Sequence, residues 1–98
     1  MGSGSPMAHH VPKGWKEAKG KLRCTYEFKD FVRAMGFLNE VAFLAEKREH
    51  HPDFTVHWNQ VAFVVWSHDV DAVTERDHKL VAGIAKIAER HKAKPGGS

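Results

Sequence analysis

The sequence predicts an α+β fold: an antiparallel sheet of three or four strands with two long helices packed on one face. Three observations carry that prediction. Two stretches place apolar residues at three- and four-residue spacings, a stretch before the first alternates with period two, and a hairpin candidate lies between them. The resulting order, strand-helix-strand-strand-helix, suits an antiparallel sheet with its helices gathered on one side.

The first strand is KLRCTYEF, residues 21–28, with Leu22, Cys24, Tyr26 and Phe28 on one side and Arg23, Thr25 and Glu27 on the other. The first helix runs through DFVRAMGFLNEVAFLAEKRE, residues 30–49, with Asp30 placed to cap its first turn. Its expected inner stripe is Phe31, Ala34, Met35, Leu38, Val41, Ala42 and Ala45. Phe37 and Leu44 lie off that stripe and are expected to face another subunit. After Pro52, Phe54, Val56 and Trp58 oppose Thr55 and His57, and Asn59-Gln60 is the turn candidate before VAFVVW, residues 61–66. The last helix is opened by Thr74 with Asp77 three positions on, a capping-box pattern, and continues through Leu80, Val81, Ile84, Ile87 and Ala88. A short helical piece around Trp15–Lys19 would be confined by Gly14 and Gly20. Gly, Ser and Pro dominate both ends, so residues 1–12 are expected to be a leader or disordered, 13–92 the domain, and 93–98 a disordered tail. His9 and His10 belong to that leader and are given no role.

Composition narrows the function. The chain has 98 residues, 42% of them apolar and 28% charged, values of a globular protein with one domain. So short a chain buries only a modest core, which favours association between copies. No apolar run approaches the ~20 residues of a membrane span, and no export signal is evident, so the cytoplasm is the expected compartment. Cys24 stands alone, which rules out an intrachain disulfide and a thiolate metal cage. The net charge of +3 gathers toward the two ends instead of forming a stripe on a folded element, which argues against nucleic acid as the partner.

The chemistry concentrates in EHHPD, residues 49–53. Adjacent imidazoles at His50 and His51 fit a metal ligand set, a solvated patch or an acid/base site working near neutral pH. Metal is the weaker reading, because neighbouring histidines rarely both reach one ion. Pro52 pushes His51 out of the α region, so the helix should end near Glu49 and the pair should occupy a stiff corner at its C-terminus. His68, in WSHD beyond the hairpin, is a third candidate that a sheet could bring to the same corner. Glu46, one turn before the pair, is placed to hold an imidazole by hydrogen bonding. His57, His78 and His91 are expected to be surface residues.

The segment EKREHHPDFTVHWNQVAFVVWSHDVDAVTERD, residues 46–77, resembles the pterin-4a-carbinolamine dehydratase family. That family's signature combines an acid, three residues, His-His-Pro, a later Thr/Ser-His and a closing Asp, and the likeness runs from about residue 14 to 90. It implies dehydration of a 4a-hydroxytetrahydropterin to quinonoid dihydropterin, with no cofactor and no metal. His50, His51 and His68 match the family's site histidines, Glu46 its opening acid and Asp77 its closing aspartate. Trp15 matches a tryptophan near the pterin, and Arg76 a neighbour of the closing aspartate. Phe54, Trp58 and Trp66 are further flat surfaces for a pterin, though each also suits a core or subunit contact. The resemblance further implies a homodimer or homotetramer. It leaves open an alternative, a binding or assembly module of the same fold acting as a coactivator or assembly factor. One departure stands out: Ala72 and Val73 replace the family's usual Gly-Leu, so the loop after His68 should differ if that glycine needs a positive φ.

Overall fold

The computed structural model describes residues 11–95. Of the leader expected at 1–12, residues 1–10 fall outside them, as do the last three residues of the chain, whereas Val11 packs against the core and Pro12 O accepts from the Trp15 N–H. Five strands and two helices follow the chain as β1 (Lys16–Ala18), β2 (Lys21–Glu27), α1 (Phe31–Arg48), β3 (Asp53–His57), β4 (Gln60–Val65), α2 (Glu75–Arg90) and β5 (Lys94–Pro95). The antiparallel sheet has the order β1-β2-β4-β3, with β5 pairing the far end of β2. The α+β class and the alternation of β2 hold: Leu22, Cys24, Tyr26 and Phe28 are all buried.

Two short strands were not foreseen. The helical piece around Trp15–Lys19 is instead β1, joined to β2 by Lys19 and Gly20, both at positive φ (54° and 75°). Two left-handed residues in a two-residue loop are what a tight hairpin needs, and they override a three-residue stretch too short to nucleate a helix. At the other end, Lys94–Pro95 pair with Glu27 and Tyr26, and Ala93 packs against the core, so order continues past residue 92. Proline is tolerated there because the strand is at the edge.

The first helix is rotated from the expected stripe. Ala34, Phe37, Leu38, Val41 and Ala45 face inward, whereas Phe31 and Met35 are 49% and 42% exposed. Phe37 lies at the centre of the core, with ring centroids 4.8 Å from Phe28, 5.7 Å from Tyr26 and 5.9 Å from Phe63. Leu44 packs over Gly83 of α2, where an added Cβ would meet its Cδ2 at 2.7 Å, so that glycine allows the helices to approach. Both stripes satisfy the same periodicity, and the space under the sheet takes the Phe37 ring and leaves Phe31 half exposed.

The hairpin turn sits one residue earlier than expected, at Trp58-Asn59, with Trp58 at φ 54°. Asn59 has a reason to be there. Its side-chain amide donates to Phe28 O (2.8 Å) while its own carbonyl accepts from Phe28 N (2.8 Å), tying the β3–β4 turn to the end of β2. The side-chain amide and the backbone carbonyl of Asn59 thus each hold one backbone group of Phe28.

Candidate active site

The corner after α1 is built by its C-cap. Glu49 takes φ 54°, its N–H reaches Glu46 O at 3.2 Å and the His50 N–H reaches Ala45 O at 3.1 Å. This is the Schellman arrangement, with glutamate where glycine is usual. It reverses the chain just before Pro52, so His50 and His51 leave in different directions.

His50 turns inward. Its side chain is only 13% exposed, and Nε2 lies 2.5 Å from Oδ1 of Asp77, which is fully buried. The other carboxylate oxygen, Oδ2, accepts from Ser67 Oγ (2.8 Å) and from the Thr74 backbone N–H (2.8 Å). Asp77 thus serves as the acid of the capping box and as a partner for an imidazole. Burial pushes its carboxyl up, but hydrogen bonds from His50, Thr74 and Ser67 outweigh that and hold it below the usual carboxylate range. An ionised carboxylate can only accept, so Nε2 of His50 carries the hydrogen and Nδ1 is the nitrogen left over.

His51 turns outward, 60% exposed, with Nε2 2.6 Å from Glu46 Oε2. His68 is 62% exposed and its Nε2 stands 3.8 Å from Oδ2 of Asp53, two residues past His51. Its predecessor Ser67 faces the opposite way and bonds Asp77. The two ends of one carboxylate network and one strand pair therefore place His50, His51 and His68 around the start of β3 and the end of β4. Each imidazole has its own carboxylate. A hollow of about 160 Å3 beside His51 and Glu46 is lined by Pro52, Phe54 and the α1 residues Leu38, Val41, Ala42 and Ala45. A larger one, about 440 Å3, lies between α2 and Pro12–Lys13 and is lined by none of these histidines.

The remaining candidates divide. Arg76 pairs with Asp69 at 2.7 Å, which fastens the loop after His68 to α2. Trp15, expected near a flat ligand, is buried at 5% exposure, donates to the Tyr26 hydroxyl at 2.7 Å and stacks on Phe63. Its place in β1's approach to the core explains this. Phe54 and Trp58 are exposed, at 49% and 65%. His91, expected at the surface, is partly buried; Nε2 lies 2.6 Å from Glu40, which Arg90 also engages, and its ring meets Phe37 edge-on. His78 is partly buried near Glu17.

Ala72 does not take a positive φ; the left-handed residue is Asp71, at 52°. Ala72 instead pairs with Ser67 through both backbone groups (3.0 and 3.3 Å), closing the loop. Sequence reading missed Ser67 and Asp53. Ser67 had a signal, since it continues the inward phase of Val61, Phe63 and Val65, where a polar residue needs a partner.

A small α+β domain with three imidazole–carboxylate pairs at one corner has the equipment of an acid/base site. The chain belongs to the pterin 4 alpha carbinolamine dehydratase family, whose sequence model matches residues 5–87. A provisionally named pterin-4-alpha-carbinolamine dehydratase of Thermomicrobium roseum is 43% identical over 82 residues, covering 84% of this chain and 87% of that one. One from Acidobacterium capsulatum is 43% identical over 73 residues, 74% of this chain and 79% of its own. Among solved structures, a transcriptional coactivator/pterin dehydratase from Brucella melitensis superposes with a TM-score of 0.75 at 33% identity, covering 78% of this chain and 83% of that one. A pterin dehydratase-like RuBisCO assembly factor of the alpha-carboxysome shares the fold, with a TM-score of 0.67 at 20% identity and coverage of 83% and 96%.

Proposed function

We propose that this protein is a dehydratase of 4a-hydroxytetrahydropterins, releasing water from the carbinolamine to give quinonoid dihydropterin. The observation that carries the reading is the set of three imidazoles at one corner, each within 4 Å of a separate carboxylate. Dehydration requires a proton for the leaving hydroxyl and removal of one from nitrogen, and imidazoles do both near neutral pH. No electron changes hands, so the chemistry asks for no redox cofactor. His51 and His68, which solvent reaches, exchange protons with the substrate. His50, held by Asp77, keeps one tautomer and fixes the corner. Glu46 orients His51, and Arg76 supports the loop that carries His68. The protein works as a homodimer or homotetramer in the cytoplasm, the free edge of β3 being one surface for pairing.

The test is direct: carbinolamine generated in situ should lose water faster with the protein than in buffer, and decay at the buffer rate would end the reading. A second reading, a binding or assembly module, draws on the apolar residues exposed on α1, Phe31, Val32, Met35 and Phe43, and on the names of the two structural neighbours. It predicts that replacing both His51 and His68 by alanine leaves the protein's cellular role intact.

A further inference from the structure

Trp66 follows β4 and, by strand alternation, shares the outer sheet face with His68. The two rings stack with centroids 4.0 Å apart and planes 12° from parallel. From the neighbouring strand, the Lys21 ammonium sits 4.4 Å from the centroid of the same indole. An imidazole that is 62% exposed would otherwise sample several rotamers, because its ion pair with Asp53 is long and Asp53 is itself 55% exposed.

We propose that Trp66 is the positioning residue for His68, its indole fixing the imidazole plane while Lys21 braces the indole. This rests on the dehydratase reading and adds the element that orders one of its open imidazoles. Stacking of the usual strength biases rotamer populations by roughly two- to tenfold. The charges around His68 act in opposite senses. A protonated imidazole is attracted by the indole face and by Asp53, whereas Lys21 on the same indole opposes a second cation. Asp69, next in the chain, is engaged by Arg76.

The test is Trp66→Leu against Trp66→Phe in the carbinolamine assay, with histidine ring-proton NMR on the same proteins. The Leu variant should lose about tenfold in kcat with KM nearly unchanged, in keeping with the cost of a misplaced group, and Phe should restore most of it. In the wild type, His68 ring protons should be shifted upfield by the indole, and the Leu variant should lose that shift. An unshifted His68 in the wild type overturns the proposal even if the Leu variant fails to fold. A Leu variant that raises KM alone makes Trp66 a substrate platform and also overturns it. An active wild type with an unchanged Leu variant sinks the positioning role only, whereas an inactive wild type sinks the dehydratase reading with it.

Discussion

The two halves of the histidine corner are built on opposite principles. On the helix side, His50 and Asp77 are closed off from solvent and tied into Ser67 and Thr74, every polar atom of the carboxylate having a partner. On the outer side, His51 and His68 are more than half exposed, and their partners Glu46 and Asp53 are exposed as well. A buried charge network is costly to leave half-satisfied, so the inner half is a fixed frame. The outer half is cheap to rearrange and open to a ligand. On the proposed dehydratase reading the contrast separates rigidity from chemistry, and substitutions on either side should fail in different ways.

The largest expected effect belongs to the outer half. His51→Ala and His68→Ala should each lower kcat for carbinolamine dehydration by about 100-fold, the usual contribution of a positioned acid or base. Their unfolding free energies should stay within about 0.5 kcal/mol of wild type, as for surface changes. Urea denaturation alongside the assay checks both. A marked loss of stability would erase the distinction between the halves.

The inner half should respond in the opposite manner. Asp77→Asn leaves the shape but gives His50 a neutral partner and breaks a buried network, which should cost about 2 kcal/mol of stability. In a chain of this size, that lowers Tm by roughly 10 °C. The pH dependence has a definite sign. Asp77 is held low in the folded protein, so its contribution is complete above about pH 4, where an unfolded aspartate is ionised, and is lost as pH falls through the depressed folded value. Thermal melts from pH 7 downward should show the wild type losing that increment in acid while Asp77→Asn, lacking it throughout, declines less steeply.

How much of this was readable in the sequence follows the same division. Alternation in β2 and the caps at Asp30 and Thr74 were legible because they are local: the residues that decide them lie within a few positions of each other. The helix stripe was not, because Phe37 and the pair Phe31–Met35 fit the periodicity equally well and only the shape of the space beneath the sheet chose between them. The turn shifted because Asn59 answers to Phe28, 31 positions away. At the site, the histidines and Glu46 could be named, but not which histidine would be buried. That depends on Asp77, itself held by Ser67 and Thr74, meeting His50 across 27 residues of chain. The burial of Trp15 was not legible for a related reason, since its partner Tyr26 lies on the next strand.

A milder probe of the outer half is Glu46→Gln. The amide can still hydrogen-bond His51 but no longer offers it a negative charge. With both groups well exposed, the pair contributes little to folding. The variant should keep its melting temperature and lose only a few-fold in kcat, less than His51→Ala does. Assay of the two variants side by side measures how far Glu46 acts through His51. A loss as large as that of His51→Ala would give the carboxylate a role of its own.

The smallest effect tests the join between the halves. Glu49 holds a left-handed backbone in the Schellman turn that sends His50 inward and His51 outward, a conformation that costs a non-glycine residue about 1 kcal/mol. Glu49→Gly relieves that cost, but it also frees the unfolded chain, so the net gain should be a few tenths of a kcal/mol. If the turn serves only to end the helix, kcat should follow wild type while stability rises slightly in denaturant titrations. If glutamate at this position stiffens the corner, the same variant should gain stability and still lose activity, because a freer backbone lets His51 drift from Glu46. The joint sign of the two changes therefore decides whether the outer half borrows its order from the inner one or keeps its own.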